Sequence, residues 1–167
     1  MTTPTRRKSL HSLTGALPAG PDDPRDRTPH KRAIARYAGL LCKEGETVAI
    51  NTGSTTALMS EFLPGHGLTI VTNSFRLASR LTRGSDNDVV LTAGTVYREH
   101  DIVLSPFDND STQQRYASKL FTGAFGISAH GLTESDPLRV QATQRLARLA
   151  NHMLCWPTAT SWRAKPT

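Results

Sequence analysis

The stretch TVAINTGSTT (residues 47–56) decides the fold of this chain. It begins as a short apolar β run, continues as a polar turn around Gly53 and ends at the start of a helix-like stretch. The same order recurs over residues 68–81 and begins again over residues 88–95. Strands and helices that alternate through short connections form parallel βαβ units. We therefore expect an α/β protein with an open parallel sheet and flanking helices.

The sequence on both sides extends this pattern. Apolar residues recur at helical spacing between residues 34 and 41, which predicts an amphipathic helix from His30 that Gly45 ends. The elements predicted downstream are an extended segment over residues 96–104, a helix over 108–116, a buried strand over 119–127 and a last helix capped by Thr133 or Ser135.

The length of 167 residues allows one domain of ordinary size. Residues 1–29 are rich in proline and have no helical or strand period, so we interpret them as a linker. The predicted domain occupies residues 30–154. Residues 155–167 have neither periodicity nor turn chemistry and look like a non-native tail, as a frameshift would produce. The final strands of the fold are accordingly expected to be missing.

The net charge of +6 suggests a nucleic-acid partner until the charges are located. Residues 1–36 carry eight basic and three acidic side chains, and residues 145–167 carry four basic and no acidic ones. The middle, residues 37–144, holds eleven acidic against eight basic side chains. Because the positive charge lies at the two ends, a basic groove for nucleic acid is not predicted in the body of the domain.

The two cysteines and the hydropathy exclude other classes of protein. Cys42 and Cys155 form no CxxC pair and have no histidine at zinc-finger spacing, so neither a structural zinc nor a disulfide framework is predicted. No apolar run approaches the roughly 18 residues of a membrane span. The basic start has no apolar h-region of a signal peptide, and we expect a cytoplasmic protein without a cofactor.

The polar turn after the first strand is the sharpest candidate site. A glycine allows close backbone approach, and the hydroxyls and free N–H groups that follow it face an anion such as phosphate. The turn is neither a Walker P-loop nor a GxGxxG fingerprint, and alone it could be a plain helix cap.

Two further polar turns strengthen the prediction. They follow the second and third strands, and the carboxyl ends of parallel strands line one crevice where ligands bind. An acidic edge would come from a fourth loop. The predicted effector-binding residues are Asn51, Thr52, Gly53, Ser54, Thr55, Thr56, Thr72, Asn73, Ser74, Gly94 and Asp136.

Catalytic residues are not predicted. His66 lies in a Pro-Gly-His-Gly turn at the opposite end of the sheet, and His100 lies between two acidic residues in an extended segment, so we interpret both as solvated. Ser54 has no GxSxG surroundings and no base that the sequence identifies. Glu134 and Asp136 are the carboxylates that an enzyme on this scaffold could use as a base.

Four motifs in order, INTGSTT, IVTNSFRLASRL, VVLTAGTVY and KLFTGAFGISAHGLTESD, resemble the C-terminal effector-sensing domain of DeoR-type bacterial transcriptional repressors. The resemblance covers about residues 31–153. It implies a fold similar to ribose-5-phosphate isomerase and the CoA transferases, and a phosphorylated sugar or related metabolite as effector. In that family a D-x-G-[ST]-T turn holds the ligand phosphate, and Asn51 stands here in place of the aspartate.

The chain departs from the family pattern in other places. We expect this chain to lack the winged helix-turn-helix that reads DNA, because residues 6–16 resemble only the end of its wing and the linker. The family usually has a glutamate about where Thr143 sits. A D-S-S-K-F motif, whose lysine and serine belong to the family's site, would follow the next strand, but the sequence diverges at about Cys155.

We therefore expect the effector-binding domain of a DeoR-type repressor of carbohydrate metabolism, which is not an enzyme. Its partners would be a phosphorylated sugar or sugar acid and further copies of the chain, with operator DNA bound only through a helix-turn-helix that this chain lacks. Two alternatives stay open. One is a sugar-phosphate isomerase or CoA transferase on the same fold, and the other is a truncated product without a ligand.

The location of the positive charge leads to a prediction about DNA. Because the charge lies in the two ends, duplex DNA should bind this chain without sequence preference, and the affinity should fall steeply between about 50 and 200 mM salt. Fluorescence anisotropy with two unrelated duplexes measures both properties. A footprint at a discrete operator near physiological salt would contradict this expectation.

Overall fold

The computed structural model describes residues 28–63, 67–105, 111–128, 131–134 and 136–157. The helices are α1 (Thr28–Leu40), α2 (Ser54–Leu58), α3 (Phe75–Gly84) and α4 (Pro137–Ala147). The strands are β1 (Thr47–Ile50), β2 (Thr69–Thr72), β3 (Asp88–Leu91), β4 (Thr95–Tyr97), β5 (Ile102–Leu104), β6 (Ala117–Ala124), β7 (Gly126–Ser128), β8 (Gly131–Thr133) and β9 (Ala150–Pro157). Single 3-10 turns occupy Met59–Glu61 and Ser111–Gln114.

Five of these strands form one parallel sheet in the order β3-β2-β1-β6-β9. The predicted open parallel sheet with flanking helices is therefore confirmed. The predicted extended segment is the antiparallel hairpin β4–β5, and a second short hairpin joins β7 to β8. The predicted strand over residues 119–127 begins two residues earlier and divides into β6 and the start of β7.

Apolar side chains cover both faces of the sheet, which is why residues 48–50 of β1 are apolar and buried without alternation. On one face Ile50 and Phe121 pack with Leu77 and the other buried side chains of α1 and α3, and Leu58 of α2 packs against this cluster. On the other face Leu120 packs against Leu146 of α4. The result is a layer of helices on each side of the sheet. Among the described helices, none is both long and apolar enough to cross a membrane.

Two boundaries differ from the sequence-based expectations. Helix α1 begins at Thr28, inside the predicted linker. Strand β9 continues through residues 155–157, which pair in parallel with residues 122–124 of β6. The first three residues of the predicted tail therefore belong to the sheet, because an adjacent strand satisfies their backbone groups even without a sequence period. Residues 1–27 and 158–167 lie outside the described residues.

Two further elements also differ. The side chain of Asp136, not that of Thr133, caps α4 by accepting a hydrogen bond from the backbone N–H of Leu138 at 2.8 Å. Ser135, the other predicted cap, lies outside the described residues. Of the helix predicted over residues 108–116, only the 3-10 turn Ser111–Gln114 is helical among the described residues.

An ion pair fastens β6 to the loop before β1 at the amino end of the sheet. Lys119 Nζ donates to Glu46 Oε1, which also accepts from Ser118 Oγ at 2.7 Å, and the Lys43 backbone N–H donates to Oε2 at 3.0 Å. Burial by itself would raise the pKa of Glu46, but these hydrogen bonds and the lysine charge outweigh it and lower the pKa to about 2.

This shift predicts how the stability depends on pH. A carboxyl with a lowered pKa in the folded state stabilises the protein above its unfolded pKa, near 4.5, and loses that contribution as the pH falls toward 2. We expect Glu46→Gln to lower the free energy of unfolding by about 1–3 kcal/mol at pH 7, and the difference from wild type to shrink below pH 4.5.

Urea unfolding of both proteins at pH 7 and pH 3 measures this difference. Glu44→Gln is the matched control, since Glu44 is exposed in the same loop. A Glu46→Gln deficit that is equal at the two pH values would show that the ion pair does not stabilise the fold.

Candidate functional site

A cleft of about 340 Å³ opens at the carboxyl ends of the central strands. The turn after β1 and the start of α2 supply one wall, residues 52–56. The remaining lining residues come from the β4–β5 turn, the end of β6, the α4 region and β9; they are His100, Gly123, Ala124, Phe125, Glu134, Asp136, Arg139 and Trp156. This is the edge of the sheet at which the sequence predicts a ligand.

The Asn51 side chain joins four parts of the structure under this cleft. Its Oδ1 accepts from the Thr52 backbone N–H at 2.9 Å and from Asn73 Nδ2 at 2.8 Å. Its Nδ2 donates to Thr122 Oγ1 at 2.9 Å and to Thr143 Oγ1 at 2.8 Å. The full hydrogen-bonding capacity of the amide is used inside the protein, so Asn51 positions the turn.

The predicted Thr72-Asn73-Ser74 turn is also buried and internally bonded. Asn73 Oδ1 accepts from the Thr52 backbone N–H at 2.9 Å, and its carbonyl accepts from the Val103 N–H at 2.8 Å. Thr72 Oγ1 donates to the Ile50 carbonyl at 2.6 Å. Ser74 Oγ caps α3 by accepting from the Leu77 N–H at 3.0 Å. These side chains brace β1, β2 and the β4–β5 hairpin beneath the cleft.

The turn from Gly53 to Thr56 supplies the free hydrogen-bond donors. The first hydrogen bond of α2 runs from the Ala57 N–H to the Gly53 carbonyl at 2.9 Å, so the backbone N–H groups of residues 54–56 precede it. Among the described residues, none accepts from these three groups. Thr56 Oγ1 donates to the Gly53 carbonyl at 2.9 Å, whereas Ser54 is exposed. Ser54 and the three N–H groups can therefore bind an anion.

His100 does not lie in solvent as the sequence analysis predicted. Its Nε2 lies 3.1 Å from Asp136 Oδ2, and its backbone carbonyl accepts from Thr52 Oγ1 at 3.3 Å. The β4–β5 hairpin folds back over the sheet and brings His100 to the cleft, a contact that the spacing of neighbouring residues does not reveal. The predicted site residue Asp136 thus has two roles, as cap of α4 and as partner of His100. His66 lies outside the described residues.

Gly94 lies outside the cleft lining and has a different role. Its φ is +129°, and a Cβ there would lie 2.2 Å from the Leu104 carbonyl group. Glycine is therefore required because β5 crosses the Gly94 backbone closely.

The sequence analysis missed several residues of the cleft, and among them are Arg139 and Trp156. Arg139 lies in the first turn of α4, with its Nε 3.4 Å from Glu134 Oε1. The Asp136-Pro137 pair marks the start of that helix and could have placed Arg139 near the sheet edge. Trp156 has no such indication, because it lies in a segment without periodicity.

Thiol and metal chemistry find no support in the described residues. Burial, together with the Glu46 carboxylate, raises the pKa of the Cys42 thiol to about 12, and burial raises the pKa of Cys155. Both thiols are consequently poor nucleophiles at neutral pH. Within the described part of the chain, no cluster of three His, Cys, Asp or Glu residues could hold a metal ion.

Solved structures of one enzyme have the same fold. Ribose 5-phosphate isomerase A from Methanocaldococcus jannaschii is similar with a TM-score of 0.56 and 16% identity, over 77% of this chain and 52% of that chain. The enzyme from Neisseria gonorrhoeae is similar with a TM-score of 0.54 and 20% identity, over 78% and 52%. At such identities the likeness concerns the fold alone.

Sequence relatives are transcriptional regulators. The HTH-type transcriptional regulator UlaR of Shigella dysenteriae serotype 1 (strain Sd197) is 32% identical over 125 residues, which cover 74% of this chain and 49% of UlaR. UlaR of Escherichia coli (strain K12 / DH10B) is similar to the same extent. The chain spans about half the length of these relatives. The family model described as the DeoR C terminal sensor domain matches residues 26–159. The resemblance predicted from the four motifs is confirmed, and the chain belongs to the family of DeoR C-terminal sensor domains.

Proposed function

We propose that the cleft binds a phosphorylated sugar or sugar acid, and that this chain is the effector-sensing domain of a DeoR-type repressor of carbohydrate metabolism. The observation that carries the proposal is the turn of residues 53–56, where the exposed Ser54 hydroxyl accompanies three backbone N–H groups without acceptors among the described residues. Such a set of donors matches the oxygens of a phosphate group.

The surroundings of the turn favour tight binding of an anion. The side-chain oxygens of Asn51 and Asn73 both accept from the Thr52 backbone N–H, and Asn73 Nδ2 donates to Asn51 Oδ1. These hydrogen bonds fix the turn before a ligand arrives. A rigid site loses less conformational entropy on binding than a flexible one. The carboxylate of Glu134 already faces the Arg139 guanidinium, which reduces the repulsion between this carboxylate and a phosphate.

An isomerase on this scaffold is the second candidate, because the similar solved structures are ribose 5-phosphate isomerases. Such an enzyme would need a carboxylate base and a lysine at the reacting sugar. Lys43 precedes β1, and Lys119 pairs with Glu46, so both belong to the amino end of the sheet. Among the described residues, no lysine lines the cleft. We therefore favour binding over isomerisation.

Regulation requires that the effector distinguish two states of the whole repressor. The relatives are HTH-type regulators about twice as long as the matched segment, so we assign operator binding to a winged helix-turn-helix outside this sequence. The effector would change how further copies of the chain arrange such DNA-binding domains.

Two substitutions in the turn test the proposal. Ser54→Ala removes one donor to a charged acceptor and should weaken sugar-phosphate affinity about tenfold or more, a cost of roughly 1.5–3 kcal/mol, without affecting the fold. Gly53→Val should abolish binding, because its Cβ would lie 3.0 Å from Thr56 Oγ1 and its methyl groups would cover the free N–H groups. Ser79→Ala on α3, outside the cleft, is the control.

The measurement is titration calorimetry with ribose 5-phosphate, fructose 6-phosphate and 6-phosphogluconate, each beside its unphosphorylated parent. Equal affinity for phosphates and parents, or unchanged affinity of Ser54→Ala, would show that the turn does not hold a phosphate. Turnover of ribose 5-phosphate above background would instead establish the isomerase alternative.

A further inference from the structure

Trp156 lies at the cleft, although its sequence context gives it no role. It lies on β9, opposite Gly123 of β6, and it lines the cleft together with residues 52–56. We propose that Trp156 binds the sugar portion of the effector, while the turn at Ser54 binds the phosphate. This inference rests on the proposed function and deepens it.

The absence of a side chain at Gly123 gives the indole its position. A Cβ at Gly123 would lie 3.5 Å from Trp156 Nε1 and 4.0 Å from Cδ1. The pyrrole edge of the indole therefore lies over the Gly123 backbone, at the end of β6 where the cleft begins. The indole also packs in part against the core cluster around Phe121, which restricts its movement.

The indole N–H is an unused donor at this place. No described residue accepts a hydrogen bond from Trp156 Nε1, and the side chain is only partly exposed. Partly buried tryptophans usually pair this group. A hydroxyl of a ligand in the cleft would supply the acceptor.

The surface around Trp156 suits a sugar better than a second charge. Phe125, next along the chain from β6, lines the same cleft and is 54% exposed. Two aromatic side chains offer apolar faces to the C–H groups of a sugar ring, and the indole N–H offers a donor to its hydroxyls. Since neither aromatic side chain is charged, their contribution to the affinity should depend on the sugar and not on the phosphate.

This division of roles predicts a crossed pattern of affinities. Trp156→Leu keeps apolar volume against the core but removes the aromatic face and the N–H donor, and it should weaken sugar-phosphate binding about fivefold or more. The same variant should leave the affinity for inorganic phosphate unchanged. Ser54→Ala should lower the affinity for both the sugar phosphate and inorganic phosphate. Trp156→Phe, which keeps an aromatic face, should fall between wild type and Trp156→Leu.

The experiment titrates the full chain with whichever of ribose 5-phosphate, fructose 6-phosphate and 6-phosphogluconate binds most tightly. Inorganic phosphate is the competing ligand. The chain has two tryptophans, so Trp162→Phe isolates Trp156 emission, which should change with the sugar phosphate and not with inorganic phosphate. Tyr116→Leu, an exposed aromatic outside the cleft, is the matched control and should bind like wild type.

The outcomes separate this inference from the proposed function. If Trp156→Leu binds the sugar phosphate like wild type while Ser54→Ala is weakened, the role of Trp156 is wrong and the phosphate site stands. Equal weakening of both ligands by Trp156→Leu would mean that the residue only supports the fold, which also overturns the inference. If wild type binds none of the probes, both proposals fail.

Discussion

The side-chain amide of Asn51 is the interaction on which the carboxyl edge of this sheet depends. Its Oδ1 accepts two hydrogen bonds, from the Thr52 backbone and from Asn73 after β2. Its Nδ2 donates two, to Thr122 on β6 and to Thr143 on α4. Asn51 is 4% exposed, so loss of any partner would leave a buried polar group unsatisfied. The network therefore fixes the turn whose free donors face the cleft.

The network also joins two positions at which the chain departs from the pattern that the resemblance implies. The resemblance to DeoR-type sensor domains implies an aspartate where Asn51 stands and a glutamate about where Thr143 stands. These two positions are in contact here, with Asn51 Nδ2 donating to Thr143 Oγ1 at 2.8 Å. An amide and a hydroxyl form a neutral pair, whereas two adjacent carboxylates would repel each other unless one bound a proton. The contact between Asn51 and Thr143 therefore carries no charge.

The Glu46–Lys119 ion pair and the groups that can bind a ligand occupy opposite ends of the sheet. Glu46 and Lys119 pair at the amino end, where the loop before β1 meets β6. The free N–H groups after Gly53, together with Arg139 and Trp156, lie at the carboxyl end. Parallel strands make this separation possible, because every carboxyl end reaches the same edge. A ligand can therefore act on the turns without disturbing the ion pair.

The sequence by itself determined the parallel sheet and the polar turn at residues 51–56, and it predicted a site at that edge, because these depend on local periodicity and on short connections. Only the tertiary structure decided which side chains face the cleft. The Asn51 side chain points inward because the fold brings Thr122 and Thr143 next to it. These partners lie 71 and 92 positions further along the chain. His100 reached Asp136 because a hairpin folds back over the sheet, and Trp156 reached the cleft because β9 lies beside β6. Such contacts depend on strand order and side-chain direction, which no local pattern of residues records.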